Sequence, residues 1–244
     1  MDVNRFDDLI MRAFDEDLAS AGDLTSESIF GPDHGSSARL VARQDGVVAG
    51  LGLAGRVFHL MDDTIEIEAF ADDGTRVSAG SDLMRLAGLT RALLTAERTA
   101  LNFLGRLSGI ATITARLVDL VEGTGVLIAD TRKTTPTLRA LEKHAVRMGG
   151  GSNHRFGLYD AVMIKDNHIA AAGGIGRAVA MVRARVGHTV KIEVEVETLD
   201  ELRELLVVGA DIVLLDNMSI PQLREAVGMV GEQMVTAVSY THLR

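Results

Sequence analysis

Beyond about Thr124 the chain alternates short apolar runs with longer stretches whose apolar residues recur at helical spacing. The short runs predict strands at Val126–Ala129, Ala161–Ile164, Val190–Val196, Ile212–Leu215 and Met234–Val238. The stretches between them predict helices over Thr137–Met148, Gly176–Arg185, Leu199–Val208 and Pro221–Val230. Pro221 suits a helix start, with Ser219 as its N-cap. Strands alternating with helices of this length imply a parallel sheet, either closed as a barrel or open and doubly wound. The polar residues choose between the two. Asp130-Thr-Arg-Lys, Lys165-Asp-Asn-His, Glu193/Glu195/Glu197 and Asp216-Asn stand at the ends of successive strands. Reactive groups at the C-terminal ends of many strands point to a β/α barrel, whereas an open sheet gathers its ligand groups at one switch point.

The N-terminal region is patterned differently. Asp2–Ala19 places Phe6, Leu9, Ile10, Ala13, Phe14 and Leu18 at helical spacing. Ala38–Val48 and Thr64–Phe70 alternate like strands, Leu51–Met61 between them is helical, and Asp72-Asp-Gly-Thr reads as a hairpin-like turn. A long helix is expected over Arg91–Leu120, with a break near Gly109. One side of it carries Arg91, Thr95, Arg98, Asn102 and Arg106, and the other carries Leu93, Ala100, Phe103, Leu104 and Leu107. Glu97 falls inside the apolar arc, where a charge needs a partner or an interface. The fold class is therefore α/β: an N-terminal α+β domain with its connecting helix, 1–108, followed by an incomplete β/α barrel domain, 109–244.

Composition narrows the function. The 244 residues hold no Cys, which removes disulfides, thiol nucleophiles and cysteine metal sites. The acidic, amphipathic N-terminus is not a secretory signal, and no apolar stretch is long enough to span a bilayer. A cytoplasmic protein is expected. The net charge of −9 disfavours nucleic acid and anionic membrane as partners. Against that background one cationic cluster stands out. Arg132 and Lys133 follow a predicted strand, His154 and Arg155 follow Gly149–Gly151, and Lys165 ends a buried strand. Guanidinium forks suit carboxylates and phosphates, and lysine acts as a compact point charge. Such a set suits a small ligand with several anionic groups.

The strings that carry this chemistry resemble those of the quinolinate phosphoribosyltransferase family. They are Gly22-Asp-Leu-Thr-Ser26, Glu97-Arg-Thr-Ala-Leu-Asn102, Ser108-Gly-Ile-Ala-Thr112, Asp130-Thr-Arg-Lys-Thr134, Gly149-Gly-Gly-Ser-Asn-His-Arg155, Ile164-Lys-Asp-Asn-His168, Glu193-Val-Glu195 and Leu215-Asp-Asn217. They occur in family order over nearly the whole chain. The resemblance implies conversion of quinolinate and phosphoribosyl pyrophosphate to nicotinate mononucleotide, pyrophosphate and carbon dioxide. It also implies a Mg²⁺ requirement and a homodimer whose active sites are shared between subunits.

Carried onto this sequence, the resemblance gives Arg132, His154 and Arg155 to the quinolinate carboxylates and brings Arg98 in from the neighbouring subunit. It sets Lys133 and Lys165 against the pyrophosphate and the reacting carboxylate. Glu195 and Asp216 are set against the ribose hydroxyls and Mg²⁺. Lys133, Lys165, Glu195 and Asp216 are the expected catalytic groups. Three alternatives stay open: a paralogue associated with molybdenum transport, a Schiff-base aldolase built on Lys165, and a non-catalytic anion-binding protein. The glycines at 173–176 lack dinucleotide-loop spacing and read as a helix entry. After Met234-Val-Thr-Ala-Val238 the sequence leaves the family pattern at Ser239-Tyr-Thr-His-Leu-Arg244. The expectation is a truncated barrel whose last strand is an open edge, with little activity and a tendency to aggregate.

Overall fold

The computed structural model describes residues 1–238; the departing tail, 239–244, lies outside the described residues. The chain parts into two compact units between His154 and Arg155.

The first unit opens with a 3-10 turn, Asn4–Phe6, and α1, Asp7–Leu18, which buries Phe6, Ile10 and Phe14 as the helical spacing predicts. A short helix, α2 (Leu24–Ile29), follows and is capped by Asp23, whose carboxylate accepts the N–H groups of Thr25 and Ser26. The run expected as one strand over Ala38–Val48 is two: β1, Gly35–Val41, and β2, Gly46–Val47. The β1 register shifts at Leu40/Val41 before the chain turns. Helix α3 spans Leu51–Met61, as expected.

Strands β3 (Glu66–Ala69), β4 (Arg76–Val77) and β5 (Asp82–Leu89) complete this region. They form two antiparallel sheets, ordered β1-β5-β3 and β2-β4. Asp72–Thr75 is a turn but joins strands of different sheets, so it is not a hairpin. Strand β5 was not predicted. Its buried residues, Leu83, Met84 and Leu86, break the simple alternation by which a half-buried strand is recognised.

Helix α4 runs unbroken over Thr90–Leu120, so the break expected near Gly109 is absent. A glycine inside a helix costs about 1 kcal/mol relative to alanine. Each fully buried apolar side chain on α4, such as Leu107, returns about 1.5–3 kcal/mol. Helix α5, Arg139–Met148, packs on α4 and adds Leu141 and Ala145 to the same core. The domain division expected at 108/109 therefore falls within α4, whereas the compact unit extends through α5 to His154.

The strand expected at Val126–Ala129 does not form. Gly123 and Gly125 turn the chain through left-handed conformations, Val126 and Leu127 are exposed, and only Ala129 makes a bridge, with Ser152. The glycine run after α5 serves packing. A Cβ on Gly149 would collide with the Ala111 carbonyl oxygen on α4, and one on Gly151 would press on Thr114 and Val146.

The second unit is a four-stranded parallel sheet, β6 (Val162–Ile164), β7 (Ile192–Val196), β8 (Ile212–Leu215) and β9 (Val235–Val238), ordered as in the sequence. Helices α6 (Asp166–Ala172) and α7 (Ile175–Arg183) precede β7, α8 (Leu199–Val208) precedes β8, and α9 (Ile220–Val230) precedes β9. Consecutive parallel neighbours joined by helices are the repeat of an incomplete β/α barrel. The described strands number four, one fewer than the sequence predicted. Every residue of β7 is buried, as in a sheet covered on both faces. Among the described residues β9 pairs with β8 alone. Helix α6 escaped prediction because its few residues carry no readable apolar period. Gly173, at φ 85°, ends it, and the glycine-rich stretch is the helix entry that was expected.

Candidate active site

In the first unit the cationic loop begins where the Ala129 bridge ends. The Asp130 amide donates to the Ser152 carbonyl at 3.1 Å and the Ser152 amide to the Ile128 carbonyl at 2.8 Å, so residues 128–130 and 152–154 run side by side. The Asp130 carboxylate accepts the His154 N–H at 2.9 Å and Asn153 Nδ2 at 2.6 Å, and it pairs with the buried Lys143. This network holds Arg132 and Lys133 just beyond one segment and His154 on the other. Arg132 is half-buried, and its Nε is buried without a hydrogen bond. A buried donor left without a partner costs about 1–3 kcal/mol. Lys133 is exposed on its loop, while its backbone N–H donates to Thr131 Oγ1 at 3.0 Å.

The far end of the loop is tied down by Glu142. Its Oε1 accepts Arg106 Nε at 3.0 Å and its Oε2 accepts the Thr135 N–H at 3.1 Å. Burial works to raise the Glu142 carboxyl, but hydrogen bonds from Arg106 and Thr135 outweigh it and leave it below the ordinary carboxylate value. Arg106 is thus a structural member of the polar stripe on α4. Arg98, on the same helix, is exposed, and so is Glu97, which the apolar arc had placed against a partner or an interface.

In the second unit the polar groups collect at the C-terminal ends of the strands. Arg155 Nη1 donates to the Ala161 carbonyl at 3.2 Å, just before β6. Lys165, the first residue after β6, reaches Glu195 Oε2 on β7 at 2.5 Å. Period two gives Glu193 and Glu195 the same face, and both are buried, while Glu197 lies past the strand end and is exposed. Asp216 follows β8 and is half-buried. Asn217 beside it has φ 54° and donates to Glu197 Oε1 at 2.9 Å and to Asp216 Oδ2 at 3.4 Å. Asparagine adopts this left-handed conformation more readily than other non-glycine residues.

Among the described residues no group of three or more His, Asp or Glu side chains could cage a metal ion. Glu195 and Asp216 fit a hard cation that brings most of its ligands with it, such as Mg²⁺ on a diphosphate. Two clefts in the first unit, of about 270 and 840 Å³, are lined by none of the expected site residues. Sequence reading missed two of the residues that hold the cationic loop, Glu142 and Lys143. The available signal was a Glu-Lys pair beside Leu141 and Ala145 on the face α5 turns to the core.

Residues 23–108 match the family model for the quinolinate phosphoribosyl transferase N-terminal domain, and residues 110–240 match that for the C-terminal domain. The chain belongs to the quinolinate phosphoribosyltransferase family. It is 48% identical over 209 residues to the probable nicotinate-nucleotide pyrophosphorylase (carboxylating) of Bacillus subtilis, covering 86% of this chain and 72% of that protein. It is 42% identical over 225 residues to the nicotinate-nucleotide pyrophosphorylase (carboxylating) of Mycobacterium leprae, covering 90% and 78%. The fold superposes on the crystal structure of NadC from Streptococcus pyogenes with a TM-score of 0.94 at 41% identity, over 99% of this chain and 85% of that one.

Proposed function

We propose that this chain catalyses phosphoribosyl transfer from phosphoribosyl pyrophosphate to quinolinate with decarboxylation, a step of NAD biosynthesis. Nicotinate mononucleotide, pyrophosphate and carbon dioxide are the products. The pyridine nitrogen forms a bond to the ribose anomeric carbon as the bond to pyrophosphate breaks, and the pyrophosphate leaves with that electron pair. The ring carboxylate is then lost as carbon dioxide. Its bonding electrons remain on the ring carbon, stabilised by the positive ring nitrogen, until they take up a proton to form the new C–H bond.

The observation that carries this reading is the cationic loop itself, where the segment leading to half-buried Arg132 and exposed Lys133 runs beside the segment that ends in His154. In this assignment Arg132, His154 and Arg155 bind the quinolinate carboxylates, and Lys133 and Lys165 offset the charge of the leaving group and the reacting carboxylate. Glu195 and Asp216 stabilise the positive charge that grows on the ribose, and they would hold Mg²⁺, which supplies further stabilisation of the departing pyrophosphate. The Lys165–Glu195 ion pair favours this electrostatic role over Schiff-base chemistry. Arg98, exposed on α4, serves the site of a second subunit in a homodimer. No helix among the described residues is long and apolar enough to cross a membrane, in keeping with work in the cytoplasm. The deciding assay is pyrophosphate release from phosphoribosyl pyrophosphate with quinolinate, with and without Mg²⁺. Absence of release together with quinolinate binding would make this an anion-binding protein instead.

A further inference from the structure

We propose that Lys143 is a positioning residue that sets the quinolinate-binding cations, an assignment that rests on the function proposed above. Lys143 is not among the expected substrate-binding residues, yet it is among the largest fully buried side chains, at 2% exposure, with its Asp130 partner at 7%. A buried ion pair is a poor device for stability, because desolvation offsets most of the attraction and apolar residues in its place are often neutral or better. The pair therefore calls for a geometric reason.

That reason lies in what the ammonium joins. Lys143 Nζ donates to Asp130 Oδ1 and, at 3.0 Å, to the His154 carbonyl. The same Asp130 Oδ1 accepts the His154 N–H at 2.9 Å. His154 is thus held at both its N–H and its C=O, which removes the peptide rotations that would swing its imidazole. Both acceptors carry negative charge density, so the group between them needs at least two donors, and an ammonium with three meets that need. Asp130 is two residues from Arg132 and three from Lys133. One buried cation thereby sets the spacing of the loop bearing Arg132 and Lys133 and the loop bearing His154. Asn153 closes the arrangement, with Nδ2 donating to Asp130 Oδ2 at 2.6 Å and to the Lys143 carbonyl at 2.9 Å.

The test compares Lys143→Met, the double variant Lys143→Met/Asp130→Asn, and Asp73→Ala, which disrupts a different, partly buried carboxylate of the same unit. All are assayed where circular dichroism reports a folded protein. The expected result for Lys143→Met is a rise in KM for quinolinate on the order of 100-fold, the scale that small misplacement of binding groups produces. The KM for phosphoribosyl pyrophosphate and kcat should change by less than about threefold, as for loss of uniform binding. The double variant should regain thermal stability because no lone charge is buried, and its quinolinate KM should stay high. Asp73→Ala should lose stability with its quinolinate KM unchanged. An unaltered quinolinate KM in folded Lys143→Met, or an equal rise in Asp73→Ala, overturns the proposal. Amide exchange separates this failure from that of the functional reading. If the unmodified chain neither binds nor turns over quinolinate, the function is wrong. Loss of His154 amide protection in Lys143→Met would still support the clamp, and retained protection would overturn it.

Discussion

Replacing Asp73 tests whether the first unit is held by a cap supplied from outside the helix it caps. Gly50 occupies the N-cap of α3 at φ 91° and has no side chain with which to satisfy the first-turn amides. Asp73, in the turn between β3 and β4, does so instead: its Oδ1 accepts the N–H groups of Gly50 and Leu51, each at 2.8 Å. Its Oδ2 meets His144 Nε2 of α5 at 2.7 Å, and the two side chains are 21% and 14% exposed. One carboxylate therefore joins a turn, α3 and α5. Losing a helix cap costs about 1 kcal/mol, and losing a hydrogen bond to a charged group costs about 1.5–3 kcal/mol. Asp73→Ala should then lower unfolding stability by roughly 2–4 kcal/mol, as read from denaturant titration with an unchanged m-value.

The pH dependence gives the same carboxylate a second reading. Burial pushes the Asp73 carboxyl up, yet the hydrogen bonds from His144, Leu51 and Gly50 prevail and hold it below its ordinary value. A carboxyl depressed in the folded state contributes stability that is complete above its unfolded pKa, about 3.9, and is lost as pH falls through the folded value. The gap between the unmodified chain and Asp73→Ala should narrow as pH falls below about 4. A gap under about 0.5 kcal/mol at neutral pH, the scale of an ordinary surface change, would refute the reasoning. So would a gap that widens on acidification.

Quinolinate should be favoured over nicotinate by about 2–5 kcal/mol in kcat/KM, because a missing carboxylate leaves a desolvated cation without its partner; equal turnover of the two acids would sink this. Arg98→Ala and Lys165→Ala, each inactive alone, should regain activity when mixed as exchanging subunits, since one site of the heterodimer carries neither lesion. Failure to complement after exchange is demonstrated would assign Arg98 to its own subunit. Gly149→Ala should destabilise the first unit by about 1–3 kcal/mol through overpacking against the Ala111 carbonyl. A thermal midpoint equal to that of the unmodified chain would show that α4 and the glycine run part easily.

Much was legible in the sequence alone. Helix α3 and the parallel repeat from β7 to β9 follow directly from the lengths and spacing of their apolar runs. Lys165, Glu195 and Asp216 could be placed at strand ends for the same reason, since each strand's length and its next helix are written locally. Tertiary structure decided the rest. Strand β5 exists because β1 and β3 flank it, and the run at 126–129 is not a strand because only one residue finds a neighbour. Helix α4 continues through Gly109 because packing outweighs a weak propensity. The roles of Glu142 and Lys143 were invisible for a related reason. Their meaning depends on Arg106, Asp130, Thr135 and His154, which lie up to 36 residues away in sequence. A periodic pattern records which face is buried, whereas only the folded chain records which charges meet there.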